Sequence, residues 1–272
     1  MKLAISNIAW RADEERAIAD LLQARRVRGV EVAPGMVSSS PATATDDEIA
    51  RYRAFWNERD IEIVAMQALL FGTQGLALFE SESARRDLSL YLARIVRLGG
   101  LLGARALVFG SPKNRVAGKL APEAVTGIAV PFFRALGALA VDHGTCVCIE
   151  PNPPVYGADW IVNAREALEF VALVDHPGVG MHLDAGALHI QNEGPAEIRA
   201  AGVGLRHFHA SQPDLVPLCA GGLVPHATYA AALRSIGYER WISVEMRAGA
   251  GAASNRPAVE TALAHALSVY GS

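Results

Sequence analysis

The feature that most constrains this chain is the regular alternation of short β-type runs with amphipathic helical segments from one end to the other. Strands are expected at residues 3–9, 30–33, 61–68, 106–109, 145–150, 180–184, 205–209 and 241–246. Helices are expected at 13–26, 46–60, 81–102, 122–143, 163–175, 196–201, 227–236 and 256–269, with stop signals such as Gly144 and Gly237 just past two of them. Alternation of this kind means parallel strands joined by helical crossovers. About eight such units in a chain of 272 residues predict one (β/α)8 barrel over residues 1–272. A doubly wound sheet is the competitor, but it usually carries a glycine-rich phosphate turn after its first strand. Here Trp10-Arg11-Ala12-Asp13 stands in that place, without glycine.

Composition sets the setting. With 51% hydrophobic residues and a mean hydropathy of +0.20, the chain can bury a large core without disulfides. A formal charge of -3 and no long Lys/Arg stripe argue against duplex nucleic acid as substrate. Cys146 and Cys148 alternate within one apolar strand and the cysteines are odd in number, so a reducing, cytoplasmic setting is expected. The N-terminus MKLAISNIAW has no signal-peptide core, and no segment is expected to be apolar over a membrane-spanning length. A small-molecule substrate is expected, with neither nucleic acid nor membrane as partner, and a homo-oligomer is compatible with all of this.

In a barrel the inward residues alternate along each strand, and chemistry is placed at the strands' C-terminal ends. Strand five offers Cys148, Glu150 and Asn152 in one phase; strand six, His182, Asp184 and Gly186; strand seven, His207, His209 and Ser211; strand eight, Ser243, Glu245 and Arg247. A single glutamate at a strand end is ordinarily a solvated cap or an ion-pair partner, and a single histidine a hydrogen-bonded core residue. Four consecutive strands ending in acids or imidazole on one side are another matter. Three carboxylates crowded together are costly to bury unless a cation neutralises them. Glu150, Asp184, His209 and Glu245 form a hard oxygen set with one imidazole, suited to one divalent ion: Mn, Mg, Co or Zn.

Lys113 and Arg115 follow strand four in FGSPKNR, where Arg115 is expected to contact a phosphate or carboxylate and the alternative is a solvated loop. Trp10, Gln67 and Phe71 sit at or just past the ends of strands one and three, as pocket walls or as lids on the barrel mouth. His182 is expected to support the site from below and His226 to cap a helix. Pro153 and Pro154 stiffen the loop after Glu150. Neither G-x-S-x-G nor a phosphate-binding P-loop occurs.

The segments IEPNPP, HLDAGA, RHFHASQPDL, WISVEMR and FGSPKNR resemble the sugar phosphate isomerase/epimerase family of xylose isomerase-like TIM barrels. Its members include tagatose and other ketose 3-epimerases, hydroxypyruvate isomerase, inosose dehydratase and, more remotely, endonuclease IV. The resemblance runs through all eight strands and is densest in the C-terminal half. For the epimerase branch it implies that Glu150, Asp184, His209 and Glu245 hold the metal, and that Glu150 and Glu245 exchange protons with the substrate from opposite faces. The expected chemistry is isomerisation or epimerisation of a small sugar, sugar phosphate or hydroxy-ketone through an enediolate that the metal stabilises. Two positions depart from that branch: Ala187 stands where it has a histidine, and Leu215 where it has an arginine, both substrate contacts. His189, His207, Lys113, Arg115 or Arg247 are the available replacements. The rival readings are a metal-dependent dehydratase of a cyclic polyol ketone or dehydroshikimate-like acid, and a barrel that binds sugar without turning it over. An endonuclease needs more ligands from the early strands, which supply chiefly Glu31 and no histidine.

Overall fold

The computed structural model describes residues 1–271. Eight parallel strands close on themselves in sequence order: β1 Lys2–Ser6, β2 Gly29–Val32, β3 Glu62–Met66, β4 Ala106–Phe109, β5 Val147–Ile149, β6 Val179–Asp184, β7 Leu205–Ser211 and β8 Trp241–Glu245. Closure is by β8 against β1, pairing Ala4 with Ser243 and Ile5 with Val244. Around the barrel run α1 Glu15–Ala24, α2 Pro34–Val37, α3 Asp46–Asn57, α4 Glu82–Leu102, α5 Pro122–Asp142, α6 Ala164–Val174, α7 Ala185–Ile190, α8 Pro195–Ala201, α9 His226–Ser235 and α10 Arg256–Tyr270.

The helices begin and end where local chemistry says they should. The Thr45 hydroxyl accepts from the Glu48 amide while the Glu48 carboxylate accepts from the Thr45 amide, a capping box that starts α3. Gly103 ends α4 in the left-handed region at φ +89. Two short helices, α2 and α7, were not expected from periodicity, because neither is long enough to display an amphipathic repeat. A further correction concerns α5. This helix of 21 residues has a window of mean hydropathy 1.8, so it is long and apolar enough to cross a membrane. In the barrel it packs as a crossover helix, with Val125, Ala129, Phe133, Leu136 and Ala140 buried and Phe133 edge-on to Phe109 of β4.

The main core lies between the strand ring and the helices. A separate cluster of Ala4, Val64, Ala65, Ala106, Cys146 and Cys148 lies apart from it, with Trp241 packed against it. A side chain at Gly29 would run into the Trp241 ring at 2.5 Å, so glycine is what lets the indole lie there. The cysteines are free thiols, as expected. Register shifts interrupt the ladder at Val30/Glu31 in β2 and at Met181/His182 in β6, beside the two deepest site residues of those strands. Irregularities of this kind re-aim side chains where chemistry is done.

Candidate metal centre

Glu150 follows β5, Asp184 and Glu245 end β6 and β8, and His209 lies two residues before the end of β7. The ladders place Asp184 beside His209 and Ser211 beside Glu245. Glu150, Asp184 and Glu245 line one cavity of about 450 Å³ at the C-terminal mouth of the barrel, and His209 is 1% exposed beside them. His209 Nδ1 lies 3.1 Å from Glu245 Oε2 and 4.0 Å from Asp184 Oδ2. Glu150 Oε1 lies 3.4 Å from His182 Nε2. Ligand atoms of Asp184, His209 and Glu245 fall within 4.8 Å of one another, as do those of Glu150, His182 and His209.

Each of these side chains is held by a neighbour. Asp184 caps α7: its Oδ1 accepts from the Ala187 amide at 2.7 Å, and its Oδ2 accepts from the Ser211 hydroxyl. That hydroxyl in turn accepts from the Gly186 amide at 2.9 Å. The unexpected helix α7 is therefore part of the site, since its start orients the carboxylate. Glu150 depends on Gly110, because a Cβ there would stand 2.0 Å from Glu150 Oε2.

His209 is oriented by a residue that the sequence reading set aside. Glu31, in the middle of β2 and fully buried, accepts from His209 Nε2 at 2.9 Å through Oε2, and its Oε1 lies 3.5 Å from His207 Nε2. An ionised carboxylate can only accept, so the Nε2 that faces it carries a proton. Nδ1 is then the atom left to coordinate: it makes no well-formed hydrogen bond, although Glu245 Oε2 lies 3.1 Å away. A histidine fixed by a carboxylate on its far nitrogen is how metal ligands are commonly prepared.

The electrostatics agree with a site built for a cation. Burial, followed by the charges of Glu245 and Glu150, pushes Asp184 up to about 7. Burial also raises Glu150, against the opposing pull of His209, Asn152 and Arg115. Burial alone would raise Glu31, but His209 and His207 outweigh it and hold the carboxyl well below its ordinary range. For His209 burial works against the charged ring, and Glu31 and Glu245 overcome it, holding the group well above its usual value. The imidazolium thus supplies the positive charge between the carboxylates when no metal is bound. His182 is driven well below its usual value by burial and by the charges of His209 and His207, so it stays neutral. Three hard oxygen donors and one imidazole nitrogen turned towards them fit Mn, Mg, Co or Zn.

The sites expected for substrate contact divide. Gln67 and Arg247 line the cavity, and both also line a second, adjoining cavity whose wall includes Trp10. Arg247 donates through Nε and Nη2 to the Asp214 carbonyl, at 3.1 and 2.5 Å. Four expectations need correcting. Arg115 is 1% exposed and donates to the carbonyls of Gly110, Trp160, Ile161 and Glu150, which leaves its guanidinium nothing to offer an anion. It is a brace for the Glu150 loop, and burial lowers it to about 10. Lys113 is exposed in a 3-10 turn and forms no part of the cavity wall. His189 is half-buried on α7, also outside the wall. His207 is buried beneath the site, 3.0 Å from the Ser243 hydroxyl.

Several further wall residues carried little signal in sequence. Asn152 and Tyr156 enter from the loop after β5, and the buried Asn152 Oδ1 has no partner. Ala68, Ser111, Asp214 and Leu215 all line the cavity with positive φ, between 40 and 58, although none is glycine. Left-handed backbone at such residues is strained by about 1–3 kcal/mol each and gathers at functional sites. Ala187 and Leu215, the two departures from the epimerase pattern, both face this cavity.

A family model described as xylose isomerase-like TIM barrel matches residues 20–268. No curated protein matches the sequence. Among solved structures, a D-psicose 3-epimerase crystallised in the presence of D-fructose superposes with a TM-score of 0.81 at 20% identity, covering 100% of both chains. The D-psicose 3-epimerase of Clostridium cellulolyticum H10 with D-tagatose gives 0.81 at 17% identity, covering 99% of each chain. The IOLI protein with a bound zinc atom gives 0.77 at 18% identity, covering 100% of this chain and 98% of that one. At these identities the likeness is one of fold.

Proposed function

We propose that this chain, which belongs to the xylose isomerase-like TIM barrel family, is a divalent-metal-dependent isomerase or epimerase of a hydroxy-ketone of the sugar class. The observation that carries the reading is the convergence of Glu150, Asp184 and Glu245 on one cavity, with the buried Nδ1 of His209 turned towards Asp184 and Glu245 beside them. Sugar epimerases are among the proteins of this fold that it resembles, and one relative binds zinc.

A divalent ion held there would supply polarisation of the substrate carbonyl and stabilisation of the negative charge left when the neighbouring carbon loses its proton. Asp184 and His209 are fitted to hold that ion, Asp184 through the oxygen that Ser211 orients and His209 through Nδ1. Glu150 and Glu245 come from β5 and β8, with β6 and β7 between them, so they reach the cavity from the two ends of a four-strand arc. One takes the proton from carbon and the other returns one from the far side, which inverts that centre. Burial already raises Glu150, which suits a group that must both accept and give back a proton. The same groups could expel water from a polyol ketone, and Leu215 in the wall, in place of an arginine, favours keeping that lyase as the second reading.

The test is a metal-loaded preparation incubated with ketohexoses in deuterium oxide and followed by proton NMR. Deuterium should enter beside the carbonyl as a new stereoisomer appears, whereas loss of water would indicate the lyase. Glu150→Gln and Glu245→Gln should each lower turnover by about 10²–10⁴-fold. Turnover unaffected by either change would sink the acid/base assignment.

A further inference from the structure

The metal-centre cavity opens sideways into a second one of about 920 Å³, bounded by the chain after β1, β2 and β3. The two share Gln67, Ala68, Leu215, Glu245 and Arg247, so they meet within reach of a glutamate assigned to proton transfer. The side chamber is walled largely by Trp10, Pro34, Met36, Leu69, Phe71 and Tyr91.

Of the polar side chains that border this chamber, Asn7, Thr73 and Gln67 are already engaged, whereas the buried Trp10 Nε1 has no partner. Asn7 donates to the Tyr52 hydroxyl at 3.1 Å and accepts from the Ala33 amide at 2.8 Å. The Thr73 hydroxyl donates to the Leu70 carbonyl at 2.8 Å, and Gln67 donates to the Ser6 hydroxyl at 2.7 Å. Arg247 is the one cation in the wall, at the seam, and it is turned to the Asp214 carbonyl. Several sugar hydroxyls or a phosphate entering the chamber would therefore lose water to a wall of largely apolar side chains in which Trp10 Nε1 is an open donor but cannot satisfy them all. An apolar group would lose nothing and cover aromatic surface. Phe71, 90% exposed at the chamber wall, is left without a cover by the protein's own chain.

The geometry points to a substrate in which the hydroxy-ketone carries an apolar substituent of the aryl or alkyl ether class, seated in the side chamber while the polar end meets the metal centre. This rests on the proposed reading of that centre and narrows it: the substrate is a sugar derivative with an apolar appendage, rather than a free or phosphorylated monosaccharide. Leu215 then makes sense, because an apolar residue stands where the appendage passes between the two spaces.

The test compares D-fructose with 6-O-benzyl-D-fructose by calorimetry on the manganese-loaded protein, with benzyl alcohol as a metal-independent probe followed by ligand-observed NMR. Burying a benzyl group should tighten binding by about tenfold or more over D-fructose. Gly35→Phe should remove that gain, because Gly35 lines the chamber and a Cβ there meets nothing within 4 Å, so the backbone tolerates the change. Ser39→Phe, also on the wall, is the second filling variant should the first misfold. Equal or weaker binding of the benzyl ether, or a gain that survives both variants, would overturn the inference. If neither sugar binds but benzyl alcohol does, and Gly35→Phe abolishes it, the chamber stands and the ketose reading falls. No benzyl alcohol binding sensitive to Gly35→Phe refutes the chamber itself.

Discussion

Glu31→Gln is the most informative single change, because it alters the proposed metal centre without touching a proposed ligand. The carboxylate accepts from His209 Nε2 at 2.9 Å, a normal hydrogen bond, whereas His207 Nε2 at 3.5 Å lies beyond one. Its effect therefore runs mainly through His209. A glutamine side chain fits the same space but is neutral, and its amide can donate as well as accept, so it no longer compels the proton onto Nε2. A hydrogen bond to a charged partner contributes about 1.5–3 kcal/mol, which corresponds to about 10–100-fold in an equilibrium constant. The same range is usual when the outer partner of a metal-bound histidine is removed. Manganese affinity, measured by calorimetry or by the free-ion resonance signal, should fall by that factor. At a metal concentration 100 times the wild-type dissociation constant, the thermal stabilisation by metal, about 2.7 kcal/mol in the wild type, should fall to about 0.4–1.4 kcal/mol in the variant. His207→Asn serves as the control, since it leaves the 2.9 Å bond in place and should change affinity much less. An affinity within about twofold of wild type in Glu31→Gln would show that Glu31 does not prepare His209, and the account of Nδ1 as a poised ligand would fail.

Three other outcomes follow from the same geometry. Gly110→Ala puts a methyl 2.0 Å from the Glu150 carboxylate, so metal affinity and turnover should both drop by about tenfold or more while the melting temperature stays nearly unchanged; full retention of both would show that Glu150 need not stand where it does. Arg115→Lys replaces a fork that reaches four carbonyls with a single ammonium, and chemical denaturation should show a loss of about 2–4 kcal/mol. A pocket arginine would instead cost substrate affinity and leave stability intact. Metal binding should release protons, because burial and the neighbouring acids raise Asp184 to about 7, and Glu31 and Glu245 hold His209 above its usual value, in the metal-free protein. Affinity should therefore rise with pH, including through about 7 where Asp184 loses its proton; calorimetry in buffers of different ionisation enthalpy reads this directly. An affinity independent of pH between about 6 and 8 would contradict those assignments.

The barrel, and the four residues proposed as metal ligands, were legible without coordinates because both depend on period. Crossover helices carry an apolar repeat of 3.6, parallel strands read as short apolar runs, and along each strand alternate residues point inward. Glu150, Asp184, His209 and Glu245 fall in one phase at four successive strand ends, a coincidence visible in a single sequence. Only the tertiary structure could show that Glu31, an isolated acid in Gly29-Val30-Glu31-Val32, lies across the barrel against His209, 178 positions away in the chain. Nor does any local pattern say that Arg115 turns inward to four carbonyls, since a basic residue in a loop reads the same whether solvated or buried. Helix α7 was hidden because one and a half turns leave no repeat, yet its first turn aims Asp184. The side chamber is the furthest from the sequence: its walls come from loops after three strands, and a cavity is space left between segments rather than a property of any one of them. Pattern along the chain determines which residues face inward at the rim, whereas the closure of the ring decides which of them meet.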